Sequence, residues 1–160
     1  MEKIFLTVNE KVDMLCDSGW GTDMTQGEME RVAGHMEAYR ARKGSVVFKE
    51  GAPGSYMCAI GSGSVTIVKE YAESDKRRMD TRGPGRFVGE MAIIDGSPRT
   101  ATALADEDTV LLIFTREQFD VMVRQAPLVG VKFVMKLARA VSRRLRQTSG
   151  VLVDLIQTAM

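Results

Sequence analysis

Cysteine and histidine are almost absent from this chain: its 160 residues contain two cysteines, Cys16 and Cys58, and a single His35. Two unpatterned cysteines do not make a disulfide framework, and one imidazole does not anchor a zinc or iron site. The same scarcity removes the usual nucleophile-histidine pairs, since nothing in the sequence places either cysteine beside His35. Long apolar runs are missing too. The opening stretch from Met1 to Thr7 is too short for a signal peptide and no later run approaches membrane-spanning length, so the expectation is a cytoplasmic chain without a membrane partner. Charge of one sign is also lacking. Lysine and arginine number 22 against 21 acidic residues, a formal net charge of +1, so bulk charge argues for neither nucleic acid nor a lipid surface as partner. The lone tryptophan, Trp20 between Gly19 and Gly21, reads as a packing anchor for a loop.

What is present is 44% apolar and 27% charged residues, enough for one core and too little for two ordinary domains. The pattern divides into a helical lead-in (1–34), a strand-rich region (35–115) and C-terminal helices (116–160). In the lead-in, one or two helical turns are expected over Val8 to Leu15. A firmer helix follows Thr25, where Thr25 and Glu28 have capping-box spacing and Met29, Val32 and Ala33 form an apolar face that Gly34 ends. From His35 onward, short runs of Val, Ile, Thr and aromatics broken by glycine predict strands near 36–41, 45–48, 56–61, 64–71, 76–82, 87–88, 99–105 and 109–114. The polar stretch from Ala72 to Arg78 is the expected hairpin loop. His35 reads as a satisfied structural residue.

One stretch carries chemistry: Phe87-Val88-Gly89-Glu90-Met91-Ala92-Ile93-Ile94-Asp95-Gly96-Ser97-Pro98-Arg99-Thr100-Ala101. Gly89 permits close backbone approach, and the short helix-compatible run after it, stopped by Gly96, offers N–H groups to an anion. Pro98 fixes the chain before Arg99, whose planar guanidinium can grip two phosphate oxygens, while Glu90 can accept from a sugar hydroxyl. Taken together, the stretch resembles the phosphate-binding cassette of the cyclic-nucleotide-binding domain family. Upstream, Gly44, Gly51, Gly54, Gly63 and Gly85 resemble the turn glycines of that family's eight-stranded jelly roll. Ala52 and Cys58 depart from it, standing where an acidic residue and an aromatic are frequent.

The resemblance implies a mainly β fold, an eight-stranded jelly-roll barrel with flanking helices, acting as a binding module for cyclic AMP or cyclic GMP with no further cofactor. It also implies roles. Gly89, Met91 and Ala92 belong to the cassette backbone around the phosphate, Arg99 takes the phosphate, Glu90 the ribose 2'-hydroxyl, Thr100 the phosphate or base, and Met79 packs on the purine. A jelly roll can instead be a metal-dependent cupin enzyme, but that chemistry needs several imidazoles.

After the strands, Thr115 and Gln118 repeat the capping-box spacing and Pro127 opens a longer helix. In it Val134, Ala138, Val141, Leu145, Thr148, Leu152, Leu155 and Ala159 recur at spacings of three and four, a heptad seam that predicts a homodimer through paired helices. The competing reading packs the stripe on the chain's own barrel. Lys132, Lys136, Arg139, Arg143, Arg144 and Arg146 lie on the other face, expected to be solvated or paired with carboxylates. Arg143-Arg144-Leu145-x-x-Thr148-Ser149 resembles the central helix of bacterial cyclic-AMP receptor transcription factors, where the Thr and Ser face adenine. That implies Thr148 and Ser149 as ligand residues and favours cyclic AMP, although the run lies one turn further from Pro127 than in those receptors. No helix-turn-helix follows, so direct nucleic-acid binding is not expected and the downstream effector is not specified. Two alternatives stand beside the sensor: a nucleotide-free interaction module of the same fold, and the sensory fragment of a DNA-binding regulator.

Overall fold

The computed structural model describes residues 1–16, 23–72 and 75–159, without the side chains of 70–79, 155, 156 and 159. Trp20, the side chain of Met79 and the hairpin tip at 73–74 therefore lie outside the described residues. In chain order the elements are β1 (Glu2–Ile4), α1 (Val8–Cys16), α2 (Gln26–Gly34), β2 (Glu37–Ala41), β3 (Val46–Phe48), β4 (Tyr56–Ser62), β5 (Val65–Ala72), β6 (Asp75–Arg82), β7 (Phe87–Val88), α3 (Glu90–Asp95), β8 (Thr102–Ala105), β9 (Thr109–Thr115), α4 (Arg116–Gln125) and α5 (Pro127–Ala159).

The strands form two sheets, ordered β1-β2-β9-β4-β7 and β3-β8-β5-β6. This corrects the expected eight-stranded barrel: among the described residues there are nine strands in two open sheets. The additional strand comes from the lead-in, where Glu2–Ile4 pairs antiparallel with β2, Ile4 opposite Ala38. The strand expected from residue 99 begins only at Thr102, because Arg99 is held elsewhere: its N–H donates to the Ala52 carbonyl (2.9 Å) and its carbonyl accepts from Gly51 N–H (2.8 Å). The loop expected over 72–78 is shorter, with Ala72 already paired to Asp75.

The centre of the five-stranded sheet, β9 and β4, is buried on both faces, which explains the uninterrupted apolar run Val110-Leu111-Leu112-Ile113-Phe114 in β9. Leu112 and Phe114 point into a core shared with the helices, while Leu111 and Ile113 point between the sheets. Strand β4 divides the same way, Met57 and Ala59 against Cys58 and Ile60. Alternation is therefore present in destination and absent in polarity.

The helix signals hold. Thr25 and Glu28 form a complete capping box, and Met29, Val32 and Ala33 are buried. Thr115 accepts from Gln118 N–H at the start of α4. His35 caps the C-terminus of α2 and its Nδ1 is 3.2 Å from Gln118 Oε1, a structural role. The 33-residue α5 is seated on the barrel by Val129, Phe133 and Leu137. Phe133 is fully buried and meets Phe87 and Phe114 edge-on, at centroid distances of 6.2 and 5.3 Å.

This packing bears on the reading in which the α5 stripe lies on its own chain. Of the heptad residues, Leu145 is 67% exposed and Leu152 57%, with Val134, Ala138 and Thr148 also exposed. These described seam residues do not pack on the chain's own sheets. The basic face pairs with carboxylates of the lead-in as expected: Lys132 Nζ donates to Glu28 (2.7 Å), and Arg139 and Lys136 approach Asp23 at 3.1 and 3.9 Å. Arg144 departs from that face, as described below.

Candidate functional site: a cleft around Arg99 and Glu90

Strand β7 ends at Val88, and the chain then turns through Gly89, whose φ of 76° is left-handed and open to glycine at little cost. A second reason for glycine lies in space: a Cβ here would sit 2.3 Å from Arg99 Nη1 and 3.1 Å from Phe48 Cε1. Helix α3 follows, closed by Gly96 in the same left-handed region. Gly54, in the loop before β4, has a matching role, since its Cβ would lie 2.1 Å from that of Ala92. Two glycines thus let the backbone of the cassette lie against both its arginine and its supporting loop.

Arg99 is 4% exposed. Its Nη1 donates to the Gly89 carbonyl at 2.9 Å and its Nη2 to the Tyr56 carbonyl. Phe48 and Tyr56 hold the guanidinium between them, 4.2 and 4.7 Å from their ring centroids. Nε is left over. Among the described residues it is a buried side-chain nitrogen with no hydrogen-bond partner. Burial lowers the Arg99 pKa from its ordinary value by stripping solvent, and the neighbouring Tyr56 opposes that shift.

Glu90 is a second buried charge, at 2% exposure. Its Oε1 accepts from Arg144 Nη1 at 2.5 Å, and its Oε2 lies 3.9 Å from Arg82 Nη1. Arg82 is fixed in turn, Nη1 donating to the Phe87 carbonyl (2.7 Å) and Nε to Asp80 (3.0 Å). Desolvation lowers the Arg82 pKa first, the nearby positive charge of Arg144 second, while Glu90 and Asp80 raise it.

These groups open onto one cleft of about 480 Å³, including its solvent-facing mouth. Gly89, Glu90, Met91, Ala92, Arg99 and Thr100 all line it, so the fold brings these six candidates together. Thr148 and Ser149 are exposed on α5 and do not line it. Met79 belongs to β6, its side chain outside the described residues.

The sequence reading missed four contributors: Phe48 and Tyr56, which clamp Arg99, and Arg82 and Arg144, which meet Glu90. For Arg144 a signal was present. It stands eleven residues after Phe133 and seven after Leu137, so helical periodicity returns it to the buried face rather than to the basic one. Arg82 gave a weaker sign, a cation at a strand end immediately before a glycine turn.

Residues 39–126 match the family model for the cyclic nucleotide-binding domain. The chain belongs to that family. It is 34% identical over 105 residues to the cyclic AMP receptor protein of Thermus thermophilus, covering 66% of this chain and 47% of that protein. A CRP-like cAMP-activated global transcriptional regulator of Mycobacterium tuberculosis is 31% identical, over 72% of this chain and 50% of its own length. The chain thus spans about half the length of these curated relatives. Among solved structures, a cyclic nucleotide-binding domain from Methylobacillus flagellatus superposes with a TM-score of 0.78 at 25% identity, covering 88% of this chain and 79% of that one. The Thermus thermophilus catabolite activator protein gives 0.73 at 29%, covering 85% and 62%. Among the described residues no helix is long and apolar enough to cross a membrane, and no group of side chains is suited to hold a metal.

Proposed function

We propose that this chain is a regulatory sensor that binds a 3',5'-cyclic nucleotide, cyclic AMP in preference to cyclic GMP, and has no catalytic step. The observation that carries the reading is Arg99. A buried guanidinium with two donors committed to carbonyls and a third unmatched is costly to maintain, and an anionic oxygen in the cleft supplies the missing acceptor. The charge inventory agrees. Arg82, Arg99 and Arg144 face Glu90 and Asp95 across the cleft, one positive charge in excess, matching the single negative charge of a cyclic phosphodiester. Backbone N–H groups at the start of α3, with Gly89 beside them, supply further donors for the phosphate, and Glu90 accepts from the ribose.

The exposed seam of α5 supports a homodimer, each copy covering the other's Leu145 and Leu152. Thr148 and Ser149 then face the ligand from the paired helices, which is the basis for preferring cyclic AMP. A nucleotide-free module of the same fold has one observation in its favour: Glu90 already accepts from Arg144 without a ligand. The names of the relatives also make the sensory portion of a transcription regulator a natural setting.

Calorimetric titration with cyclic AMP and cyclic GMP tests the reading. Wild type is expected to bind, and Arg99→Ala to weaken affinity by more than about tenfold, the smaller end of the cost of leaving a buried charged partner unpaired. Absence of binding by wild type, or undiminished binding by Arg99→Ala, overturns it.

A further inference from the structure

Arg82 is not explained by the phosphate, which Arg99 serves, nor by the helix, which Arg144 serves. It is a buried arginine at the end of β6, fixed from two sides by the Phe87 carbonyl and Asp80, and its Nη1 stops 3.9 Å short of Glu90 Oε2. That separation is too long for a hydrogen bond and too short to hold a water in line between the two atoms. It suits a hydroxyl standing to one side. An oxygen about 2.8 Å from each atom would see them at an angle of about 90°, close to the angle between the donor and acceptor directions of a hydroxyl.

We propose that Arg82 and Glu90 together form a hydroxyl reader, Glu90 accepting the hydroxyl proton and Arg82 donating to its oxygen. This rests on the cyclic-nucleotide reading above, under which the one free ribose hydroxyl, at the 2' position, is the group being read. Arg82 is then a specificity-determining residue. Glu90 alone can accept from any donor, an amine included; paired with a fixed cation donor, it selects a group that donates and accepts at one atom, as a hydroxyl does and an ammonium does not. The anchoring supports this role. Arg82 is held on the sheet, so its Nη1 keeps its place when α5 and Arg144 move.

The test is discrimination between cyclic AMP and its 2'-deoxy analogue, measured calorimetrically for wild type, Arg82→Met and Glu90→Gln, each first shown to be folded by thermal melting. Arg82→Met is expected to lose about tenfold in affinity for cyclic AMP and less than about threefold for the deoxy analogue, one charge-assisted hydrogen bond's worth of selectivity. Should that variant not fold, Arg82→Gln, which keeps a donor at the level of Nε beside Asp80 but carries no charge, has the same expected pattern. A folded variant that retains the wild-type ratio, or loses both ligands equally, overturns the proposal while leaving the cyclic-nucleotide reading intact. Wild type that binds cyclic AMP without discriminating against the deoxy analogue overturns Glu90 as ribose acceptor and the reader with it. Wild type that binds neither ligand removes the functional reading itself.

Discussion

The two parts of α5 are built from similar residues and behave in opposite ways. From Pro127 to Leu137, the helix buries Val129, Phe133 and Leu137 against the sheet and is tied to the lead-in through Lys132 and Glu28. From Ala138 to Ala159 it presents Leu145, Val151, Leu152 and Val153 to solvent, and its contacts with its own chain include the ion pairs of Arg139 with Asp23 and Arg144 with Glu90. The first part is held by apolar burial within one chain. The second has a comparable apolar inventory whose burial needs another surface, and a charged contact at the ligand cleft.

The sharpest way to break this contrast is to empty the first part. Phe133→Ala removes a ring packed on Phe87, Phe114 and Phe119, and should cost about 3–5 kcal/mol in urea-induced unfolding. That is a large share of a domain's total stability. An equal loss from Leu152→Ala, measured at concentrations where the chain is monomeric, would erase the distinction.

Charging the second part is the next test. Leu145→Asp with Leu152→Asp is expected to leave the barrel folded and to raise the dimer dissociation constant at least about a hundredfold in sedimentation, because like charges would face each other across the seam. An unchanged dimer would place the interface elsewhere. The smallest expected effect concerns the base. Thr148→Ala should alter the cyclic AMP to cyclic GMP preference by about tenfold at most, a single hydrogen bond contributing about 0.5–1.5 kcal/mol net. A ratio that responds to Thr100→Ala and not to Thr148→Ala would assign base selection to the cassette instead.

Local signals were legible in the sequence because their causes are local. Thr25 with Glu28, Thr115 with Gln118, Pro127, and the Gly89 to Gly96 frame all act within a few residues of themselves. Gly89, Glu90 and Arg99 could be placed in one cleft because a short helix and a proline leave their spacing little freedom. Contacts made across the sheets could not be read. Phe48 and Tyr56 reach Arg99 only because Gly51 and Ala52 hydrogen-bond to Arg99's backbone, and Arg82 reaches Glu90 only through the arrival of β7 beside β4. Glu2–Ile4 became a strand because β2 offered an unpaired edge, a property of the sheet and not of those three residues. The seam was visible as a stripe, but which stripe met the barrel depended on Phe133, whose three aromatic neighbours come from three different elements.

The position of Arg144 gives α5 the geometry of an unequal lever. At 1.5 Å per residue, Arg144 stands about 10 Å beyond Leu137, the last firmly seated residue, and Ala159 about 33 Å beyond it. A rigid helix pivoting at Leu137 would therefore turn a 1 Å shift of Arg144 over Glu90 into about 3 Å of travel at its far end. Lengthening the 2.5 Å contact of Arg144 with Glu90 beyond hydrogen-bond range takes a displacement of about 1 Å. A displacement at the cleft end of this lever is magnified about threefold at the tip, and one imposed at the tip is reduced by the same factor at Glu90.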